Sequence, residues 1–164
     1  QGKLLAQDLG YEWLSTGEIL RSQVSGERKE QMLAGRLLDD QEIIGLVDDY
    51  FAKNPETEKI IIDGFPRTIT QSKWLFEQHQ NGRAVIESIL NIEVSKDAVL
   101  ERLLARGRED DTKEVITRRY EDYLKTTMPI VEWYREHNVT VFDIDGERQI
   151  EEIHADIMSK IRVK

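Results

Sequence analysis

The sequence predicts an α/β domain of three layers, with helices on both faces of a parallel sheet, and three observations point to it. Short β-branched runs alternate along the chain with amphipathic helical stretches. Lys59-Ile60-Ile61-Ile62 is nearly all apolar, the pattern of a parallel strand covered on both faces. The stretches between later runs are long enough for the right-handed crossovers that parallel strands need. At 164 residues the chain fits one domain with a full hydrophobic core.

Taken in order, Leu4, Leu5 and Leu9 give a short helix that Gly10 can end in the left-handed conformation. Residues 11–14 alternate as a strand does, and Ser15-Thr16-Gly17 turns it into a helix holding Ile19, Leu20 and Val24. Ser15 and Thr16 before Glu18 resemble a capping box. Asp39 and Asp40 offer an acidic N-cap to a helix carrying Ile43, Ile44, Leu46, Val47, Tyr50 and Phe51, which Asn54-Pro55 stops. The run at 60–62 ends at Asp63-Gly64, and runs at 88–94 and 139–144 are further strands. Four strands are thus visible, whereas a doubly wound fold seats its first strand in the middle of the sheet. A sheet with its central first strand missing is expected. Because Gln1-Gly2-Lys3 already reads as helix, that strand and its loop are expected upstream.

Composition removes several function classes. Twenty-three Lys and Arg stand against thirty-two Asp and Glu, a net charge of −9 that repels a phosphate backbone, so no nucleic-acid partner is expected. No window approaches the roughly 20 apolar residues of a membrane span, so no membrane partner is expected either. The absence of cysteine excludes disulfides and thiolate metal sites and suits a cytoplasmic setting. His79, His137 and His154 lie far apart, without metal-ligand spacing.

The chemistry concentrates in three places. In Asp63-Gly64-Phe65-Pro66-Arg67-Thr68-Ile69-Thr70-Gln71, a carboxylate at a strand end can hold Mg²⁺ through its waters. Gly64 lets the backbone approach a ligand, Arg67 can grip a phosphate, and Gln71 offers a donor and an acceptor to a base edge. Arg102, Arg106, Arg108, Arg118 and Arg119 form the second group; Arg102 and Arg106 share a helix face, and Asp110 and Asp111 can cap the helix carrying Arg119. Converging guanidinium groups suit phosphoryl transfer, although a surface laced with Glu/Arg pairs explains such a cluster equally well. The third, Ser15 to Arg21, is a small anion site or simply a helix cap.

In unbroken order from Gln1 to about Ile161, these segments resemble an adenylate kinase. Gln1-Gly2-Lys3-Leu4-Leu5-Ala6 resembles the helix after that family's P-loop, and Leu14-Ser15-Thr16-Gly17-Glu18-Ile19-Leu20-Arg21 its AMP-site motif. Gly35-Arg36-Leu37-Leu38 resembles the segment over the AMP base, and Asp63-Gly64-Phe65-Pro66-Arg67 the family signature. Arg106-Gly107-Arg108-Glu109-Asp110-Asp111 resembles the version with a very short lid, and Thr127-Met128-Pro129-Ile130-Val131 with Asp145-Gly146 completes the pattern.

The resemblance implies a P-loop nucleoside monophosphate kinase fold and the reaction ATP + AMP = 2 ADP with Mg²⁺ and no zinc, the partners being these small nucleotides and the protein a monomer. It implies AMP binding by Thr16, Arg21, Arg36, Leu37, Leu38, Gly64, Phe65, Pro66, Arg67 and Gln71, with Arg108 and Arg119 also touching AMP. Arg102, Arg106, Arg108 and Arg119 match arginines that bind the phosphates and stabilise the transferred group; Asp63 matches the carboxylate that organises the Mg²⁺ waters. Arg106 also belongs to the ATP site, and Arg148 matches a backbone contact to the ATP adenine. The single domain then comprises a core of about 1–14, 47–105 and 112–164, an AMP-binding flap of about 15–46 and a lid of about 106–111.

The sequence departs from the family pattern in three places: it contains no glycine-rich P-loop, Glu18 stands for the usual Asp, and Asp39 stands for the usual Pro before Asp40. Two alternatives follow. A UMP/CMP kinase runs the same chemistry on another acceptor, but Thr16-Gly17 and the Arg67-to-Gln71 spacing resemble the AMP-specific pattern. A non-catalytic AMP-binding remnant rests on the missing P-loop.

Overall fold

The computed structural model describes residues 1–23, 30 and 39–161. The expected residues Val24, Arg36, Leu37 and Leu38, and with them 24–29 and 31–38 of the expected flap, lie outside the described residues.

Helix α1 (Gly2–Leu9) ends at Gly10 in the left-handed conformation, φ 68°, as its sequence predicts. Strand β1 (Glu12–Ser15) runs directly into α2 (Thr16–Gln23). Helix α3 (Asp40–Lys53) starts at the N-cap Asp39, whose carboxylate accepts from the Gln41 N–H at 2.9 Å, and stops at Asn54 before Pro55. Next come β2 (Ile60–Asp63), α4 (Ile69–Gln80), β3 (Ile89–Glu93) and α5 (Lys96–Arg106). Helix α6 (Lys113–Asp122) continues through one π-helical stretch, Tyr123–Thr127, into α7 (Met128–Glu136); β4 (Val141–Asp145) and α8 (Ile150–Ile161) close the order.

Strand β1 pairs parallel with β2, Glu12 opposite Ile60 and Ser15 opposite Asp63; β3 pairs parallel with β4, Ile89 opposite Val141 and Glu93 opposite Asp145. The two pairs form separate two-stranded sheets. Between them lies a crevice of about 1820 Å³, lined by Ile60, Ile61 and Ile62 of β2 and by Ile89, Leu90 and Ile92 of β3. The inner strands are therefore β2 and β3. The isoleucines of β2, expected to be covered on both faces, are only half-buried because the strand borders this crevice.

The period of two sorts each strand between two helical layers. Ile61, Leu90, Ile92, Phe142 and Ile144 pack with α1 and α8 around Leu5, Ile153 and Ile157. Ile60 and Ile62 point the other way, onto a core of Leu14, Ile43, Ile44, Val47, Phe65 and Leu75 from β1, α3 and α4. Ile89 and Val141 join α7 through Ile130, Tyr134 and Val139. The result is the three-layer α/β arrangement, with the carboxyl ends of β1 and β2 opening onto the crevice that β2 and β3 border. Among the described residues no helix is long and apolar enough to cross a membrane.

Candidate active site

The carboxyl ends of β1 and β2 build the floor of the site. Thr16, the first residue of α2, is 3 % exposed, and its hydroxyl donates to the Asp63 carbonyl at 3.4 Å. The Thr16 hydroxyl thus ties the start of α2 to the neighbouring strand end. Gly64 follows at φ 82°, and a Cβ there would meet Thr16 Oγ1 at 2.9 Å and Arg67 Nη2 at 3.1 Å. Only glycine accepts both that backbone and that close approach.

Three bonds hold Arg67. Its N–H donates to Gln71 Oε1 at 2.7 Å, its Nε to the Gly64 carbonyl at 2.8 Å, and its carbonyl accepts from the Thr127 hydroxyl at 3.0 Å. The π-helical stretch places Thr127 there, and such widened turns are frequent at functional sites. Thr68 caps α4 by accepting from the Gln71 N–H and donates its own hydroxyl to Asp40 Oδ1 at 2.9 Å. Gln71, 3 % exposed, donates Nε2 to the same Asp40 oxygen at 2.8 Å.

The arginine cluster divides in two. Arg106 grips Asp111 with both Nε and Nη2, at 2.8 and 2.6 Å, and the Arg108 N–H donates to the same carboxylate. That hydrogen bonding raises the Arg106 pKa and holds the Asp111 carboxyl below its ordinary value. Arg119 pairs with Asp110, and both carboxylates are buried. The expected helix-capping role of Asp110 and Asp111 is therefore corrected: Thr112 caps α6, accepting from the Val115 N–H, and the two aspartates align arginines instead. Arg102 points elsewhere. Its guanidinium donates to the carbonyls of Gly146, Glu147 and Arg148 at 2.5, 3.0 and 3.3 Å, tying α5 to the β4–α8 loop.

One crevice gathers Thr16, Arg21, Asp63, Gly64, Phe65, Pro66, Arg67, Gln71, Arg106, Arg108 and Arg119 on its walls, whereas Arg102 and Arg148 are absent from its lining. Arg148 bonds the Asp145 carbonyl and Asp156. The electrostatics of the gathered groups is unusual for an acidic protein. Crowding by protein, then the neighbouring Arg108, lowers the Arg21 pKa; the same crowding, then Arg119 and Arg21, lowers that of Arg67 against the pull of Asp63. Cations held within mutual repulsion make a site for an anion of high charge. Sequence reasoning missed Asp40, Thr68 and Thr127 as supports. The Thr68-x-x-Gln71 spacing, a helix-start signature, was the available signal for Thr68.

A family profile described as Adenylate kinase matches residues 1–139. The chain belongs to the adenylate kinase family. It is 36 % identical over 161 residues to an adenylate kinase of Mycolicibacterium paratuberculosis, covering 94 % of this chain and 87 % of that protein. It is 34 % identical over 160 residues to an adenylate kinase of Corynebacterium aurimucosum, with coverages of 94 % and 87 %. To adenylate kinase 1 of a Nostoc species it is 34 % identical over 159 residues, covering 93 % and 86 %. An adenylate kinase family member is a nucleoside monophosphate kinase, a phosphotransferase of the P-loop kinase fold, and the converging guanidinium groups described above are the kind of site that transfer requires.

Proposed function

We propose that this chain carries out the reversible, Mg²⁺-dependent transfer of the γ-phosphoryl group of ATP to AMP, giving two ADP. The observation that carries the reading is the convergence of Arg21, Arg67, Arg106, Arg108 and Arg119 on one crevice beside Asp63. Arg67, held at backbone and side chain, receives the AMP phosphate together with Arg21, and Thr16 and Gln71 flank the nucleoside. Arg108 and Arg119 reach the transferred group, whose charge stays on its equatorial oxygens, and Arg106 reaches the ATP phosphates. Asp110 and Asp111 keep Arg119 and Arg106 from swinging away, so the site is organised before substrate arrives. Arg102 acts through the 146–148 loop, whose Arg148 backbone faces the ATP adenine in this reading.

Asp63, exposed at the carboxyl end of β2, is the residue to hold Mg²⁺ through water. Such an ion keeps several of its waters and binds mostly through substrate phosphates. When bound, the ion neutralises charge on those phosphates. Residues of about 15–46 act as a flap over AMP and about 106–111 as a short lid, excluding water.

The test is ADP formation from ATP plus AMP, CMP or UMP, each with Mg²⁺ and with excess chelator. Fastest turnover with AMP, lost on chelation, is expected. Faster turnover of CMP or UMP assigns the pyrimidine acceptor instead, and AMP binding without ADP from any acceptor identifies a binding remnant.

A further inference from the structure

The amide of Gln71 has two ends that a base edge can tell apart, and both are fixed by neighbours of unequal character. Its Oε1 accepts from the Arg67 N–H, a group that can only donate. Its Nε2 donates to Asp40 Oδ1, a carboxylate oxygen that here also accepts the Thr68 hydroxyl. Rotating the amide by 180° would set NH₂ against N–H on one side and C=O against carboxylate on the other. Two hydrogen bonds would become two repulsions, in a side chain only 3 % exposed. The orientation is therefore locked, and Asp40 is the charged half of the lock.

Locking matters because each end of the amide keeps one further bonding position, one lone pair on Oε1 and one hydrogen on Nε2. A purine seated by its phosphate presents its six-membered edge in one sense. Adenine offers there an amino donor and the N1 acceptor; hypoxanthine offers a carbonyl acceptor and an N1–H donor. These two edges are mirror images in hydrogen-bonding character and nearly identical in size, so a freely turning amide serves both equally well.

Resting on the reading that Gln71 faces the AMP base, we infer that Asp40 is a specificity-determining positioning residue, which fixes the Gln71 amide so that the site accepts a 6-amino purine monophosphate and rejects a 6-oxo one. Asp40 is the first residue of α3, where an acidic side chain also suits the helix dipole. That ordinary role predicts a loss of stability and an equal change for every acceptor. The positioning role predicts a change in the ratio between acceptors.

The experiment is calorimetric titration of the wild-type chain, Asp40→Ala and Asp40→Asn with AMP and with IMP, alongside a thermal melt of each. In Asp40→Ala the preference for AMP over IMP should fall about tenfold, the weight of one charge-assisted hydrogen bond in a buried site. Asp40→Asn, whose amide can turn to meet either orientation, should fall between it and the wild type. Asp40→Glu, which keeps a carboxylate near Nε2, should recover part of the preference and guards against an alanine variant that fails to fold. An unchanged AMP-to-IMP ratio in a folded Asp40→Ala or Asp40→Asn protein overturns the inference and leaves the functional reading intact. A wild type that binds neither nucleotide, or prefers IMP, overturns the functional reading and the inference with it.

Discussion

The two halves of the sheet use their arginines in opposite ways. At the carboxyl ends of β1 and β2, Arg21 and Arg67 face the crevice, and Arg67 spends only its Nε, on a carbonyl of its own loop. At the ends of β3 and β4, Arg102 donates to three carbonyls of the β4–α8 loop, Arg148 pairs with Asp156, and Arg135 pairs with Asp143. A guanidinium already satisfied by protein acceptors is a brace. One that keeps donors toward a cavity, beside other cations, is a receptor for phosphate. Counting arginines along the sequence does not separate the two; their acceptors do.

The sharpest way to break this contrast is Arg67→Ala. It should weaken AMP binding about 100-fold, as loss of a charge-assisted pair in a crowded site does, with little change in the melting temperature. A large fall in melting temperature with AMP affinity retained would make Arg67 a brace as well. Arg106 lies between the classes, lining the crevice yet tied to Asp111. Arg106→Ala should mainly lower turnover, and a fully active variant would remove it from the mechanism.

The Asp111 side tests the brace alone. Arg106 hydrogen bonding holds the Asp111 carboxyl below its ordinary 3.8, so the unfolded chain takes up that proton at a higher pH than the folded one. The stability this confers is complete above the ordinary carboxyl value and is lost as pH falls through the lower, folded value. Asp111→Asn should cost about 1–2 kcal/mol at neutral pH, the half-exposed Arg106 being screened by water, and should flatten the acid limb of the stability curve measured by thermal melts below about pH 4.

Gly64→Ala sharpens the comparison from the receptor side. The left-handed backbone costs about 1–2 kcal/mol with a Cβ, and that Cβ pushes on Thr16 and Arg67, so AMP affinity should fall together with the melting temperature. The smallest effect belongs to Arg148→Ala. The proposed ATP contact is made by its backbone, while its side chain holds only the Asp145 carbonyl and the partly buried Asp156, so ATP affinity should change less than about twofold. A larger loss would move Arg148 into the receptor class.

Much of the fold was legible in the sequence because its signals are local. The left-handed Gly10, the Asp39 cap and the Asn54-Pro55 stop each depend on a few adjacent residues, and each stands where the sequence predicts. Strand alternation also survives: Ile61 and Ile60 part to opposite layers as a period of two requires. Local reading failed where the competing partner was distant. Asp110 and Asp111 look like caps for the helix that follows them, but Arg106 and Arg119 offer charged partners, and the neutral Thr112 is left to serve the backbone N–H.

The sequence by itself determined the three-layer α/β class, the order of its elements, the family and the residue types of the site, because periodicity, caps and motif strings are written in neighbouring positions. Only the tertiary structure decided which of those residues meet. It brought Gln71 of α4 and Thr127 of the π-helical stretch onto Arg67, set Asp40 of α3 against Gln71 and the α4 cap Thr68, and turned Arg102 away to the β4–α8 loop. The physical reason is that hydrogen-bond satisfaction belongs to the packed chain as a whole: a side chain is free to bind a ligand only when no nearer protein group has taken its donors.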